Sequence, residues 1–146
     1  MVAGVMILGM AIPPLVRELR GLTRNEIRVR LDQSAQTARK IIRRDLNRAG
    51  YLAPDSVTPL EVVSDTLVIR FEDREVRYYV SNAGLHRAQD GAGHLVVRGV
   101  DSFEAVVTNT RATVKVRLLD SGLSRSYEWV VAPRNLLLEQ ESLPTS

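Results

Sequence analysis

The hydrophobic pattern changes twice along the chain, and each change marks a different kind of element. Residues 1–16, MVAGVMILGMAIPPLV, carry no charged side chain, so a helix there is apolar on all sides. From Leu15 the pattern becomes periodic. Leu15, Leu19, Leu22, Ile27, Leu31, Ala35, Ala38, Ile42, Leu46 and Ala49 recur mostly every three or four residues, the spacing of one helical stripe. Gly50 directly follows and Pro54 lies beyond, which together predict a C-terminal stop. Gly21 interrupts the pattern, and Thr23 with Glu26 offers a local capping box, so a bend is expected there. Pro13 and Pro14 each remove a helix hydrogen bond and are expected to bend or open the front of the helix.

Past Tyr51 the apolar residues fall into short β-branched runs at 60–63, 66–71, 76–80, 95–100, 103–107, 112–119 and 127–131. Turn-forming clusters at 72–74, 81–84, 90–93 and 120–122 separate many of them, which predicts antiparallel hairpins. The run VKVRLLD alternates, with Lys115 and Arg117 expected on a solvated face. The predicted architecture is α+β: a long N-terminal helix with a projecting apolar front half, its rear half packed on one antiparallel β-sheet. It divides into an apolar helix segment (1–16), its amphipathic continuation (17–50), an antiparallel β domain (51–135) and a C-terminal tail (136–146). Helix–sheet packing is assigned to Ala38, Ile42, Leu46, Ala49 and Tyr51, with Tyr51 covering the junction.

The front of the helix has no apolar partner in this pattern. Val5, Ile7, Leu8, Met10, Ile12, Pro13, Pro14 and Leu15 are therefore assigned to lipid or to the packing of like helices. Sixteen residues rise only about 24 Å as a helix, and a bilayer takes about 20 apolar residues. A secretory signal fits less well, because there is no basic start and no A-x-A site before Pro13. A buried core helix also fits poorly, because the run is apolar on all faces.

Composition removes several classes of chemistry. The 146 residues include no cysteine and two histidines, which excludes disulfides, thiolate metal sites and cysteine nucleophiles. No Gly-x-Ser-x-Gly, P-loop or Gly-x-Gly-x-x-Gly motif occurs, and no catalytic residue or cofactor is expected. His86 and His94 are expected as exposed strand-end residues. Glu72, Asp73, Glu75 and Asp90 do not have the spacing of an EF-hand and are expected in solvated turns, with no metal assigned. Tyr78 and Tyr79 point to opposite faces of a strand, one buried and one exposed. Trp129 and Tyr127 are expected in the core or on a sheet face. Asp45 is expected to form an exposed pair with Arg48, three residues on. The net charge is +3, but residues 17–48 hold ten Lys or Arg against four Asp or Glu.

The stretch MVAGVMILGMAI resembles the N-terminal region of type IV pilins and pseudopilins. IIRRDLNRAGYL, at 41–52, resembles the end of the long helix in minor pilins of the PilW type. VRYYVSNAGLHR, LVVRGVDSFEAVV and ATVKVRLL are similar to the hairpin and strands that follow in such pilins. The resemblance implies a pilin-like fold and roughly six further apolar residues ahead of Met1, which would complete a bilayer span. The family's leader, its cleavage glycine and its glutamate would lie there too. It also implies a minor pilin that primes or caps a type IV pilus, an assembly subunit rather than an enzyme. Its expected partners are other pilins of the filament, the inner-membrane assembly platform, a prepilin peptidase and membrane lipid. Its expected location is the inner membrane with the β domain in the periplasm, then a filament. A type II secretion pseudopilin is the alternative within the same mechanism. A DNA-uptake pilin is suggested by the sequence pI of about 9.7. The β domain has no basic excess, however, which argues against direct DNA binding.

Overall fold

A computed structural model describes residues 3–49, 60–71, 73–108 and 111–132, with the backbone alone given for 3–17. Helix α1, Ala3–Arg48, is 46 residues long, about 70 Å at 1.5 Å per residue. It continues across Pro13, Pro14 and Gly21 as one α-helix. The capping box does not form. The Thr23 hydroxyl instead donates to the Leu19 carbonyl at 2.9 Å, the back-bond of a threonine inside a continuing helix. The helix ends at Ala49, whose N–H reaches both the Asp45 carbonyl (3.0 Å) and the Leu46 carbonyl (3.2 Å).

Eight strands follow: β1 Leu60–Val63, β2 Thr66–Arg70, β3 Glu75–Ser81, β4 Gly84–Gln89, β5 Ala92–Arg98, β6 Val100–Val107, β7 Ala112–Asp120 and β8 Leu123–Val131. They form two antiparallel sheets rather than one, β1-β2-β3-β4-β5 and β6-β7-β8, each a meander in chain order. Four hairpins close through two-residue turns with positive φ at both positions: Ser64-Asp65, Asn82-Ala83, Asp90-Gly91 and Ser121-Gly122. This geometry matches the natural twist of paired strands.

The division into two sheets occurs at Gly99. Its φ is +71°, and a Cβ there would lie 2.5 Å from the Leu119 carbonyl oxygen. The turn leads β5 out of the first sheet and β6 into the second. Two backbone bonds hold the corner: Leu119 N–H to Gly99 O at 2.7 Å, and Val100 N–H to Ala83 O at 2.9 Å. The sequence-based run 95–100 crosses this corner, because hydrophobicity carries no record of a change of sheet.

The core lies where α1 meets both sheets. Ile27, Leu31, Ala35, Ala38, Ile42, Leu46 and Ala49 are buried against Leu67, Ile69, Val76, Tyr78, Leu85 and Val97 of the first sheet and Val114, Val116, Leu118 and Trp129 of the second. The helix touches β5, β7 and β8, while β6 packs across β1, β3 and β4. On β7 the burial alternates, with Ala112, Val114, Val116 and Leu118 inward and Lys115 and Arg117 outward. Tyr51 and the tail 136–146 lie outside the described residues.

Candidate functional site

The surface that sets this protein apart is the front of α1. Residues 18–26 are exposed throughout, and Ile27 is the first buried side chain described on the helix. Leu19 and Leu22, placed on the predicted stripe, are 59% and 60% exposed because the sheets end before them. The backbone of Val5, Ile7, Leu8, Met10, Ile12, Pro13, Pro14 and Leu15 runs within the same helix; their side chains lie outside the description. Among the described residues no helix is long and apolar enough to cross a membrane.

Two carboxylates of α1 tie its rear half to the sheets, one to each. Asp45 is 3% exposed. It accepts hydrogen bonds from the Tyr78 hydroxyl and from Arg87 Nε, each at 2.6 Å. Arg44 approaches its other oxygen at 3.4 Å. The expected exposed pair with Arg48 is therefore replaced by a buried cluster with the first sheet. The physical reason lies in the stripe itself. Asp45 stands seven residues after Ala38 and four before Ala49, so helical geometry turns it inward with them. Burial, then the Asp45 carboxylate, raise the Tyr78 pKa far above the ordinary phenol value. Burial would lower the Arg87 pKa, but the hydrogen bond and charge of Asp45 outweigh it and raise it.

Asp32 makes the corresponding link to the second sheet. Its Oδ1 accepts from Tyr127 Oη at 2.6 Å, and Arg125 Nη1 bonds both oxygens at 2.8 and 3.0 Å. Burial and the neighbouring Asp32 push the Tyr127 pKa up to about 12. Arg30 pairs with Asp120 at 3.4 Å near the β7–β8 turn. Sequence reading missed Asp32 and Asp45 as anchors. The available signal was a carboxylate in or beside the apolar stripe, with Arg-x-Tyr on a strand for one of them.

Other candidate residues settle into structural places. Tyr78 is fully buried and Tyr79 half-buried. His86 is not a strand-end residue. It lies within β4, stacked on Tyr79 with ring centroids 5.6 Å apart, and its Nε2 is 3.1 Å from the Ser81 carbonyl. His94 is exposed on β5. Glu75 is engaged by Arg77 at 2.5 Å and Arg70 at 3.2 Å. The Arg77 hydrogen bond is the main cause holding its carboxyl below the ordinary range. Asp73 and Asp90 are exposed, and Glu72 lies outside the described residues. Among the described residues no three His, Cys, Asp or Glu side chains come together as a metal site. Trp129 is buried in the core, and Tyr127 spends its hydroxyl on Asp32.

Two surface features remain beside the projecting helix. Gln36, Arg39, Lys40, Arg43, Arg44 and Asn47 line a shallow basic depression on the outer side of the rear half. A groove of about 540 Å³ lies between the front of α1 and the β7–β8 turn, lined by Leu19, Arg20, Thr23, Arg24, Ile27, Ser121, Gly122 and Leu123. Comparison of the chain with family models, curated proteins and solved structures returns no match.

Proposed function

We propose that this chain is a pilin-like structural subunit, of the minor-pilin kind, which joins a filament through the front of α1. One observation carries the reading: the helix outruns its own sheets. Its backbone spans 46 residues, yet core packing among the described side chains begins only at Ile27. The residues ahead of Arg17 are uncharged. An uncharged helical extension is stabilised by lipid before assembly and by neighbouring helices after it. Contacts of one helix with the next that do not close on themselves generate an open fibre. The Asp45 and Asp32 links suit this role, because they hold the β domain to the helix through which an assembly load passes. In this reading the chain catalyses nothing; it primes or caps a type IV pilus at the inner membrane.

The test is the mass of the mature N-terminus of the protein taken from the membrane fraction of its source cell. The expected peptide bears a methylated N-terminal amine, the mark of a processed prepilin. A peptide starting at unprocessed Met1 would remove the filament reading. Neighbouring genes then separate the two systems: a retraction motor indicates a pilus, and an outer-membrane secretion set indicates a pseudopilin.

A further inference from the structure

We propose that the groove between the front of α1 and the β7–β8 turn binds the headgroup of an anionic phospholipid. The proposal rests on the membrane-borne state in the reading above and names the ligand of a surface that reading leaves unassigned. The groove's volume of about 540 Å³ falls in the roughly 300–1,000 Å³ range of small-molecule sites. Its walls are of two kinds. Leu19, Ile27 and Leu123 supply apolar surface, and Arg20 and Arg24 supply cations.

Both arginines are available. Among the described residues neither forms an ion pair. Glu18 and Glu26 each stand two positions from one of them, which turns them roughly 160° around the helix. Asp120, the nearest acid of the β7–β8 turn, already holds Arg30 at 3.4 Å and accepts from the Ser121 hydroxyl at 2.8 Å. Thr23, in the groove wall, gives its proton to the Leu19 carbonyl and adds no negative charge. Arg20 and Arg24 are i and i+4, with Cβ atoms about 5–6 Å apart. That separation lets both guanidinium groups grip one phosphate, the ligand their planar forks suit best.

The position along the helix selects a lipid as the source of that phosphate. The uncharged run ends at Val16. Arg20 then lies about 6 Å further along the axis, inside a headgroup layer some 5–8 Å thick on each side of the hydrocarbon. Arg24 lies about 12 Å along, and its side chain leans back toward the N-terminus as helical side chains do. The lipid's chains then extend toward the uncharged run, and Leu19, on the N-terminal side of the two arginines, contacts its glycerol end.

Native mass spectrometry of the full chain tests this directly. The protein is released from nanodiscs of equal phosphatidylglycerol and phosphatidylcholine. The expected result is retained phosphatidylglycerol on the wild type, and about a tenfold lower retained fraction on R20Q/R24Q, one charge-assisted contact being worth at least that factor. R39Q/R43Q, in the basic depression of the rear half and about 28 Å further along the axis, should retain lipid as the wild type does. All four arginines are exposed, so the variants fold, and matching melting curves check it. Equal retention by R20Q/R24Q, equal retention of phosphatidylcholine by the wild type, or an equal loss in R39Q/R43Q would each overturn the proposal. Failure of the two readings is distinguishable. An unprocessed chain that keeps phosphatidylglycerol through Arg20 and Arg24 would sink the filament and leave the lipid site. A processed chain indifferent to the headgroup would do the reverse.

Discussion

Replacing Asp45 by asparagine is the sharpest test of how the helix is held. The substitution keeps the shape and removes the charge. Asp45 is 3% exposed, and its main partner Arg87 has a side chain only 18% exposed. Removing one member of a buried pair costs about 3–5 kcal/mol, because the other charge stays desolvated and uncompensated. Arg87 keeps neutral acceptors, among them Gln89 Oε1 at 3.2 Å, and some contact with water. The expected loss is therefore near the lower bound, about 3 kcal/mol. For a chain of this size that lowers the melting temperature by about 10 °C. The assay is urea unfolding of the full chain in a fixed mild detergent, with D45N, R87M and D45N/R87M completing a double-mutant cycle. The double variant should recover much of the loss, since apolar replacement of a whole buried pair is often neutral. The reasoning fails if D45N unfolds within about 1 kcal/mol of the wild type, a cost expected of an exposed pair. It also fails if the double variant is as unstable as the sum of the two single variants.

Three further outcomes follow from the packing. Leu46 is fully buried beside Asp45, so Leu46→Asp should cost about 3–5 kcal/mol by burying a charge without a partner; melting like the wild type would show that the helix end is not packed on the sheet. Gly99→Ala should cost about 2–3 kcal/mol through a left-handed backbone and a close approach to Leu119 O. Gly91→Ala, at φ +84° in open space, should cost only about 1 kcal/mol, so equal losses in urea would refute the steric part. At high pH the unfolded chain ionises its tyrosines near 10, while Tyr127 keeps its proton up to about 12. Its contribution is therefore complete below pH 10 and lost as pH rises through about 12. Y127F should flatten the decline of stability over that window, and an unchanged slope would count against the Asp32–Tyr127 link.

How much of the protein was legible before folding can be argued from particular residues. The three- and four-residue spacing of Ile27, Leu31, Ala35, Ala38, Ile42, Leu46 and Ala49 marks a buried stripe, since a helix that packs on one side must repeat at 3.6 residues. Alternation from Ala112 to Leu118 likewise marks a strand with one wet face. β4 is different. Its residues, GLHRAQ, include one large apolar side chain and no β-branched residue, so hydrophobic runs pass over it. Only the likeness of 76–87 to a pilin hairpin pointed to it. Pairing with β3 and β5 makes it a strand, because neighbours on both sides satisfy its backbone.

The chain's own pattern was enough to determine the long helix, its docked rear half, the turns near 72–74, 81–84, 90–93 and 120–122, and the α+β class. These depend on local periodicity and on residues adjacent in sequence. Tertiary structure alone decided the rest. Asp45 meets Tyr78 and Arg87 across 33 and 42 residues, and Asp32 meets Tyr127 across 95. The groove joins residues near 20 to residues near 122. The two sheets part at one glycine whose φ no hydropathy pattern encodes. A carboxylate beside a stripe looks the same in sequence whether it faces water or a tyrosine; only the surface brought opposite it sets its charge environment and its role.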